Sequence, residues 1–272
     1  QRNGAGTARP RETTRRVNHL ERMYKDMKQI TVAIAGCGSR GMDTYAKCVQ
    51  RMGERAKIVA AADISPEKLD MMRARYGVAP QDCYASAEKM LDAGRLADVM
   101  MICTPDAMHY GEAKRALELD YHLLLEKPIT PEEAQCRELA RIARERDRRV
   151  TVCHVLRYTP FYREIKRIIA SGAIGDIVSV QAIEKVCYWH QAHSFVRGNW
   201  GNTRASSPMI LQKCCHDMDI LLWLIDRPLK RVSSFGSLTY FTSERAPEGA
   251  PAQCTDGCPA AESCPYNAPR FY

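Results

Sequence analysis

Gly36, Cys37, Gly38, Ser39, Arg40 and Gly41 put glycines at the first, third and sixth places of one short segment. It follows an apolar run and opens a helical pattern, and there the spacing has a definite chemical use. The first glycine allows a tight turn, the second lets a pyrophosphate approach the backbone, and the third lets the helix pack closely. The helix start also offers unpaired N–H groups to the anion. Asp63 ends the next apolar run, 22 residues beyond Gly41, where a carboxylate accepts from ribose hydroxyls and repels a 2′-phosphate. Gly36, Gly38, Ser39, Arg40, Gly41 and Asp63 therefore read as a dinucleotide site that favours NAD over NADP. Arg40 could neutralise either a pyrophosphate or a 2′-phosphate. Asp63 could instead cap the helix after it, although Ser65 already fills that place.

A second chemical cluster lies late in the chain. Cys254, Cys258 and Cys264 fall within 11 residues among Pro, Gly and Asp. Such thiols can hold a metal once deprotonated, yet the spacing is not that of a zinc hairpin, and a fourth ligand would come from Cys214, Cys215 or His216. Reduced structural thiols are the preferred reading, with no metal. The other cysteines lie mostly inside apolar runs, where a thiol serves as a small hydrophobe, and a reducing cytoplasm fits them.

The elements that must carry these groups follow from periodicity. Residues 30–35, 57–63, 98–103, 121–126 and 149–153 read as strands, apolar on both faces as buried parallel strands are. Ser65-Pro66 and Thr130-Pro131 each set a hydroxyl cap before a first-turn proline, with Glu133 completing a capping box for a helix to about residue 146. The alternation predicts an α/β Rossmann domain over 29–150, a doubly wound parallel sheet with its ligand at the carboxyl ends of the strands. From 151 to 272 the rhythm changes: a helix at 160–171, strand-like runs at 177–187 and 231–240, a Trp- and His-bearing irregular stretch between, and a helix near 216–225. This predicts an α+β domain. Two long strands make no covered sheet alone, so that domain reads as incomplete.

With 272 residues, 45% hydrophobic and 26% charged, the chain has enough apolar material for packed domains. The longest apolar runs, 99–103 and 220–225, are far too short to span a bilayer. Of the net charge of +8, residues 1–28 carry +5, leaving a nearly balanced body and no case for nucleic acid as partner. Arg15-Arg16 is not followed by the apolar stretch an export signal needs. The first residues, ahead of Met23 or Met27, read as a non-native or disordered basic extension.

Beyond the glycine turn, the order Ile102-Cys103-Thr104-Pro105-Asp106-Ala107-Met108-His109, Glu126-Lys127-Pro128, His154 to Pro160, Gly172-Ala173-Ile174-Gly175 and His216-Asp217-Met218-Asp219 resembles the Gfo/Idh/MocA family of nicotinamide-dependent sugar and polyol oxidoreductases. The resemblance implies hydride transfer between NAD and a hydroxyl or carbonyl of a small sugar or polyol. Lys127 would exchange the hydroxyl proton, and Glu126 would lie near the nicotinamide ribose or amide. Thr104, Pro105 and His109 would line the cofactor cleft, and His216 would serve as the second catalytic group. Arg157 and Tyr158 would begin the second domain, the arginine holding a substrate oxygen or bracing a hinge. Where the family has an acid four residues before the histidine, this chain has Gln212, which binds a hydroxyl but cannot titrate. Lys213 is a further substrate candidate. His193, Arg197 and Trp200 suit either a wall that stacks on a sugar face or surface anchoring. The resemblance also implies a homo-oligomer for the full-length form. Two other readings stay open: an enzyme that retains NAD and oxidises transiently to assist glycoside cleavage or elimination, and a non-catalytic NAD-binding protein.

Overall fold

The computed structural model describes residues 28–198, 200–203 and 206–271; the expected basic extension, apart from Lys28, lies outside the described residues. The five apolar runs fold as β1 (Ile30–Ala35), β2 (Ala56–Ala62), β4 (Val99–Ile102), β5 (His122–Leu125) and β6 (Val150–Val152), and a two-residue strand that the pattern did not mark, β3 (Cys83–Tyr84), joins them. They form one sheet ordered β3-β2-β1-β4-β5-β6, in which β1 runs parallel to β2 and β4, and β2 parallel to β3. That is the doubly wound order expected from the sequence, with its reversal point beside β1. Burial explains why β1 is central: Val32, Ala33, Ile34 and Ala35 are all buried, and Ile34 is wholly enclosed.

The helices start and stop where local chemistry dictates. The helix after β1, α1, opens with wide π-type turns over Ser39–Ala46 and continues as α-helix over Lys47–Arg51. In α2 (Pro66–Tyr76) the Ser65 side chain accepts from the Lys68 N–H at 3.3 Å, and Gly77, at φ 68°, ends the helix in the left-handed region. Helices α3 (Ala87–Asp92), α4 (Asp106–Glu118) and α5 (Glu133–Glu145) follow. The capping box expected at Thr130 does not form. Thr130 Oγ1 accepts from the Glu132 N–H at 3.3 Å and donates to Gln135, so its hydroxyl closes a tight local turn and α5 begins only at Glu133.

The chain divides into two compact units, one of residues up to Cys103 with Arg115–Leu123, the other of Thr104–Lys114 with the residues from Leu124 on. The second contains α6 (Pro160–Ala170), capped by Thr159, then α7, a turn of α-helix at Tyr188–His190 continued by π-type turns over Gln191–Val196. After it come α8 (Met209–Gln212) and α9 (Cys214–Ile225).

Two expectations fail in this unit. Residues 177–187 and 231–240 form no strands, although their composition suits β-structure. A strand is stable only when a neighbour takes its backbone groups, and among the described residues none pairs with either segment. Their apolar side chains are accordingly out in the open, Val178 and Phe235 at 97% exposure. The stretch between them is helical over 188–196, where an irregular run was expected, and irregular as expected among the described residues of 197–208. Its rings pack on the last residues, Trp189 stacking on Phe271 at 5.9 Å and His193 meeting Phe271 edge-on at 5.3 Å, while Phe195 lies 6.1 Å from Trp200. These contacts give His193 and Trp200 packing partners within the chain.

Candidate functional site

In the first unit, the turn after β1 has the geometry that its glycines allow. Gly36 sits at φ 85°, where a side chain would be strained, and its N–H donates to Ala62 O at 2.8 Å. A Cβ on Gly41 would lie 1.9 Å from Gly36 O, so this helix and strand pack too closely for any other residue. A Cβ on Gly38 would meet nothing within 4 Å, and the exposed Ser39 and Arg40 follow it. The turn thus has open room on the face where a pyrophosphate must approach.

Asp63 follows β2 and is 8% exposed. Its Oδ2 accepts from the Cys37 N–H at 2.7 Å, its Oδ1 from the Ser65 N–H at 2.9 Å, and Lys68 Nζ lies 3.7 Å from Oδ1. The carboxylate therefore braces the turn, and Ser65, as expected, caps α2. Between the two, burial first and the Asp63 charge second push the Cys37 thiol up to about 12, which leaves it an inert hydrophobe.

In the second unit, Glu126 and Lys127 follow β5. The Lys127 N–H donates to Glu126 Oε2 at 3.0 Å, and the Lys127–Pro128 peptide is cis. The Lys127 ammonium donates to Gln212 O at 3.1 Å and to Gln212 Oε1 at 3.3 Å. Two residues 85 apart in sequence, both picked out by the motif pattern, are therefore in direct contact. Gln212 is 4% exposed. Asp106 opens α4, and its Oδ2 takes the Ser207 N–H at 2.8 Å as well as the Ser207 hydroxyl. Burial acts to raise the Asp106 carboxyl, but hydrogen-bond donors led by Ser207 outweigh it and hold the group below its ordinary value.

His216, on α9, is a half-buried imidazole whose Nδ1 has no hydrogen-bond partner. Burial, the Lys127 charge and His154 together push it down to about 4, so it is neutral near pH 7. The His154 ring stands edge-on to it at 5.8 Å, and His154 Nδ1 lies 3.1 Å from Asp219 Oδ1. Arg157 grips the same Asp219 with two bonds, Nε to Oδ2 at 2.7 Å and a terminal nitrogen to Oδ1 at 2.6 Å. Of the two roles open to Arg157 from sequence, the contacts present are those of a brace. Tyr158 is 69% exposed, and Lys213 Nζ lies 6.0 Å from the centre of the Phe195 ring. His154, Arg157, Tyr158 and Asp219 line an open cavity of about 280 Å³ at the end of β6.

Thr104, Pro105 and His109 divide their work. Pro105 is exposed, while the Thr104 hydroxyl donates to Glu112 Oε2 at 2.6 Å. His109 is 1% exposed, with Nδ1 2.8 Å from Pro128 O and Nε2 2.9 Å from Thr104 O. It pins the loops after β4 and β5 from beneath. Whatever it gives a ligand passes through those two carbonyls. Glu112, behind Thr104, is buried with Oε1 unpaired, and burial pushes its carboxyl up to about 7.

Of these groups, sequence reasoning missed Asp106, His154 and Glu112 as site residues. Asp106 stands in the 102–109 motif, but nothing in its spacing signals a contact with Ser207 101 residues away. The late thiols Cys254, Cys258 and Cys264 line one small pocket with Arg197, which donates to Cys254 Sγ at 3.4 Å. Among the described residues, no group of three His, Cys, Asp or Glu side chains is placed to hold a metal ion, and no helix is long and apolar enough to cross a membrane.

Comparison with known proteins identifies the family and the fold. The family profile described as "Oxidoreductase family, NAD-binding Rossmann fold" matches residues 30–154, and the "GFO/IDH/MocA C-terminal domain" matches 162–255. Putative oxidoreductase YteT of Bacillus subtilis is 23% identical over 86% of this chain and 56% of its own length. Inositol 2-dehydrogenase 4 of Saccharopolyspora erythraea is 28% identical over 76% of this chain and 57% of its own. The chain thus spans little more than half the length of these relatives. Among solved structures, scyllo-inositol dehydrogenase from Lactobacillus casei with bound NAD(H) and scyllo-inositol superposes with a TM-score of 0.61 at 23% identity, over 73% of this chain and 57% of that one. The WlbA dehydrogenase from Chromobacterium violaceum, in complex with NADH and UDP-GlcNAcA, gives 0.62 at 23% identity, over 74% and 56%. With both halves of the pattern matched in order along most of its length, the chain belongs to the Gfo/Idh/MocA oxidoreductase family.

Proposed function

We propose that this protein is an NAD-dependent oxidoreductase acting on a CH–OH group, or the matching carbonyl, of a sugar, polyol or related small molecule. The observation that carries the reading is the Lys127 ammonium, held by both oxygens of Gln212 where its charge is felt by the half-buried His216. Inositol dehydrogenases among the relatives support a polyol as substrate. The residues fit the dinucleotide: Gly36 turns the chain, Gly38 leaves room for the pyrophosphate, and Asp63 keeps lone pairs beyond its two backbone donors for ribose hydroxyls. When bound, the nicotinamide supplies the hydride acceptor or donor.

The chain's own groups do the rest. As the free amine, Lys127 takes the proton of the substrate hydroxyl during oxidation and becomes the ammonium, which returns the proton during reduction. Gln212 cannot titrate, so it orients and does not relay. His216, neutral near pH 7, exchanges a hydrogen bond with the substrate through its ring. Asp219 and Arg157 hold His154 beside it. Glu126, Thr104, Pro105 and Arg40 complete the cofactor side; Tyr158 and Lys213 are available to outer hydroxyls. The working form is a homo-oligomer.

The test is a panel of sugars and polyols incubated with NAD and followed at the NADH absorbance band. Net NADH with at least one compound is the expected result. Turnover without net NADH would indicate transient oxidation in a lyase or glycosidase, and NAD binding without any turnover would indicate a regulatory protein. Either outcome would replace this reading.

A further inference from the structure

A lysine carries its ammonium on a flexible four-carbon stem, so its charge has no fixed place unless something holds it. At Lys127 the holders are the backbone oxygen and side-chain oxygen of Gln212, at 3.1 and 3.3 Å from Nζ. Gln212 ends α8, a helix of four residues, and so short a helix does not fix its own position. Its place must come from what its first turn is tied to.

The ties run back to α4. The N–H groups of Leu211 and Gln212 both donate to Pro208 O at 2.9 Å. Ser207, one residue earlier, is wholly buried and gives both its donors, N–H and hydroxyl, to one oxygen, Asp106 Oδ2, the N–H at 2.8 Å. Asp106 is 5% exposed and opens α4. One turn along the same helix, His109 Nδ1 lies 2.8 Å from the oxygen of Pro128, the neighbour of Lys127. The circuit closes within the second unit. Helix α4 steadies the backbone of the lysine through His109, and its ammonium through Asp106, Ser207 and Gln212.

We propose that Ser207 is a positioning residue for Lys127: its clasp on Asp106 seats α8, and with it the two oxygens that receive the ammonium. Both donors of Ser207 are spent on a buried carboxylate, so it reaches Lys127 only through the chain to Gln212. Two donors on a single acceptor leave the Ser207–Pro208 segment one way to lie; with either removed, it can swing about the other. The effect on turnover rests on the oxidoreductase reading, while the seating of the ammonium does not.

Four proteins test it: the parent, Ser207→Ala, Asp106→Ala and Asp106→Asn. Ser207→Ala keeps the N–H bond and deletes the hydroxyl, and Asp106→Ala deletes the acceptor. Asp106→Asn keeps an oxygen for both Ser207 donors and a side chain suited to the start of α4, so it separates the clasp from the charge. The rate at which acetic anhydride modifies Lys127, resolved by mass spectrometry against the other lysines, reports the seating with no ligand present. Thermal midpoint, and kcat against KM on the best panel compound, complete the set.

Ser207→Ala and Asp106→Ala are expected to speed Lys127 acetylation about threefold or more and to lower kcat about fivefold or more, with a smaller change in KM. Asp106→Asn is expected to stay within about twofold of the parent in both. Parental labelling in Ser207→Ala would overturn the proposal, even with a lowered thermal midpoint, by leaving Ser207 a packing role only. Asp106→Asn as impaired as Ser207→Ala would overturn it as well, by making the charge and not the clasp the cause. Should Asp106→Ala fail to fold, the other two variants decide. If the parent oxidises nothing in the panel, the oxidoreductase reading falls, while the labelling still decides the seating.

Discussion

Replacing one side chain at a time separates chemistry from scaffolding. On the proposed function, Lys127→Ala should lower turnover by at least about 100-fold while leaving NAD affinity little changed, because the group lost is one that moves a proton and holds no phosphate. Steady-state kinetics beside a fluorescence titration with NAD checks both halves; parallel loss of binding would make Lys127 a structural cation. Asp63→Ser should do two things together, since the carboxylate braces the turn and, on the proposed function, also serves the ribose. It should narrow the preference for NAD over NADP, and it should cost about 1–3 kcal/mol of stability by depriving the Cys37 and Ser65 amides of acceptors. Unchanged selectivity with reduced stability would assign Asp63 to the turn alone. Asp63 stands out in the sequence because it ends an apolar run at a fixed distance after the glycine turn, and Lys127 because Glu126-Lys127-Pro128 matches a family motif. His154 and Asp106 do not, because their meaning lies in partners 62 or more residues distant along the chain: Asp219 pairs with Arg157 across that span and draws His154 in, and Ser207 meets Asp106.

At the level of elements, the two later glycines of the turn should respond to alanine in opposite ways. Gly41→Ala drives a methyl to 1.9 Å from a backbone oxygen that cannot yield without moving β1, so the variant should fold poorly or not at all. Gly38→Ala meets open space, so it should fold like the parent and lose dinucleotide affinity by about tenfold or more, because the methyl fills the approach to the backbone. Circular dichroism and a NAD titration on both variants suffice, and equal stability of the two would remove close packing as the reason for the last glycine. Five of the six strands could be read from sequence because buried parallel strands are apolar throughout and bounded by turn residues; β3, two half-buried residues long, carries no such run. The same test misled at 177–187 and 231–240, where β-like composition meets no partner among the described residues. Thr130 misled for a subtler reason: a hydroxyl beside a helix start can serve a two-residue turn as readily as a cap.

For the molecule as a whole, pH acts through groups whose folded and unfolded affinities for protons differ. Glu112 has a folded value near 7, above the ordinary 4.5, so its contribution is complete below pH 4.5 and is lost as pH rises through 7, up to about 3 kcal/mol. Glu112→Gln keeps the acceptor for the Thr104 hydroxyl and removes the charge, so its thermal midpoint should gain on the parent as pH climbs from 4.5 to 8. A constant difference across that range would mean that the carboxyl is not desolvated in solution. His216, with a folded value near 4, works in the other direction: its contribution is present above about pH 6.5 and fades as pH falls toward 4. His109 has one ring nitrogen 2.9 Å from the carbonyl oxygen of Thr104 and the other 2.8 Å from that of Pro128, its single N–H donating to one of them while the ring packs between the two loops. Two loops fastened by a single rivet cannot loosen independently. Their amides should exchange with deuterium at a common rate, and damage to either should release the other, so any ligand resting on one of them inherits the stiffness of both.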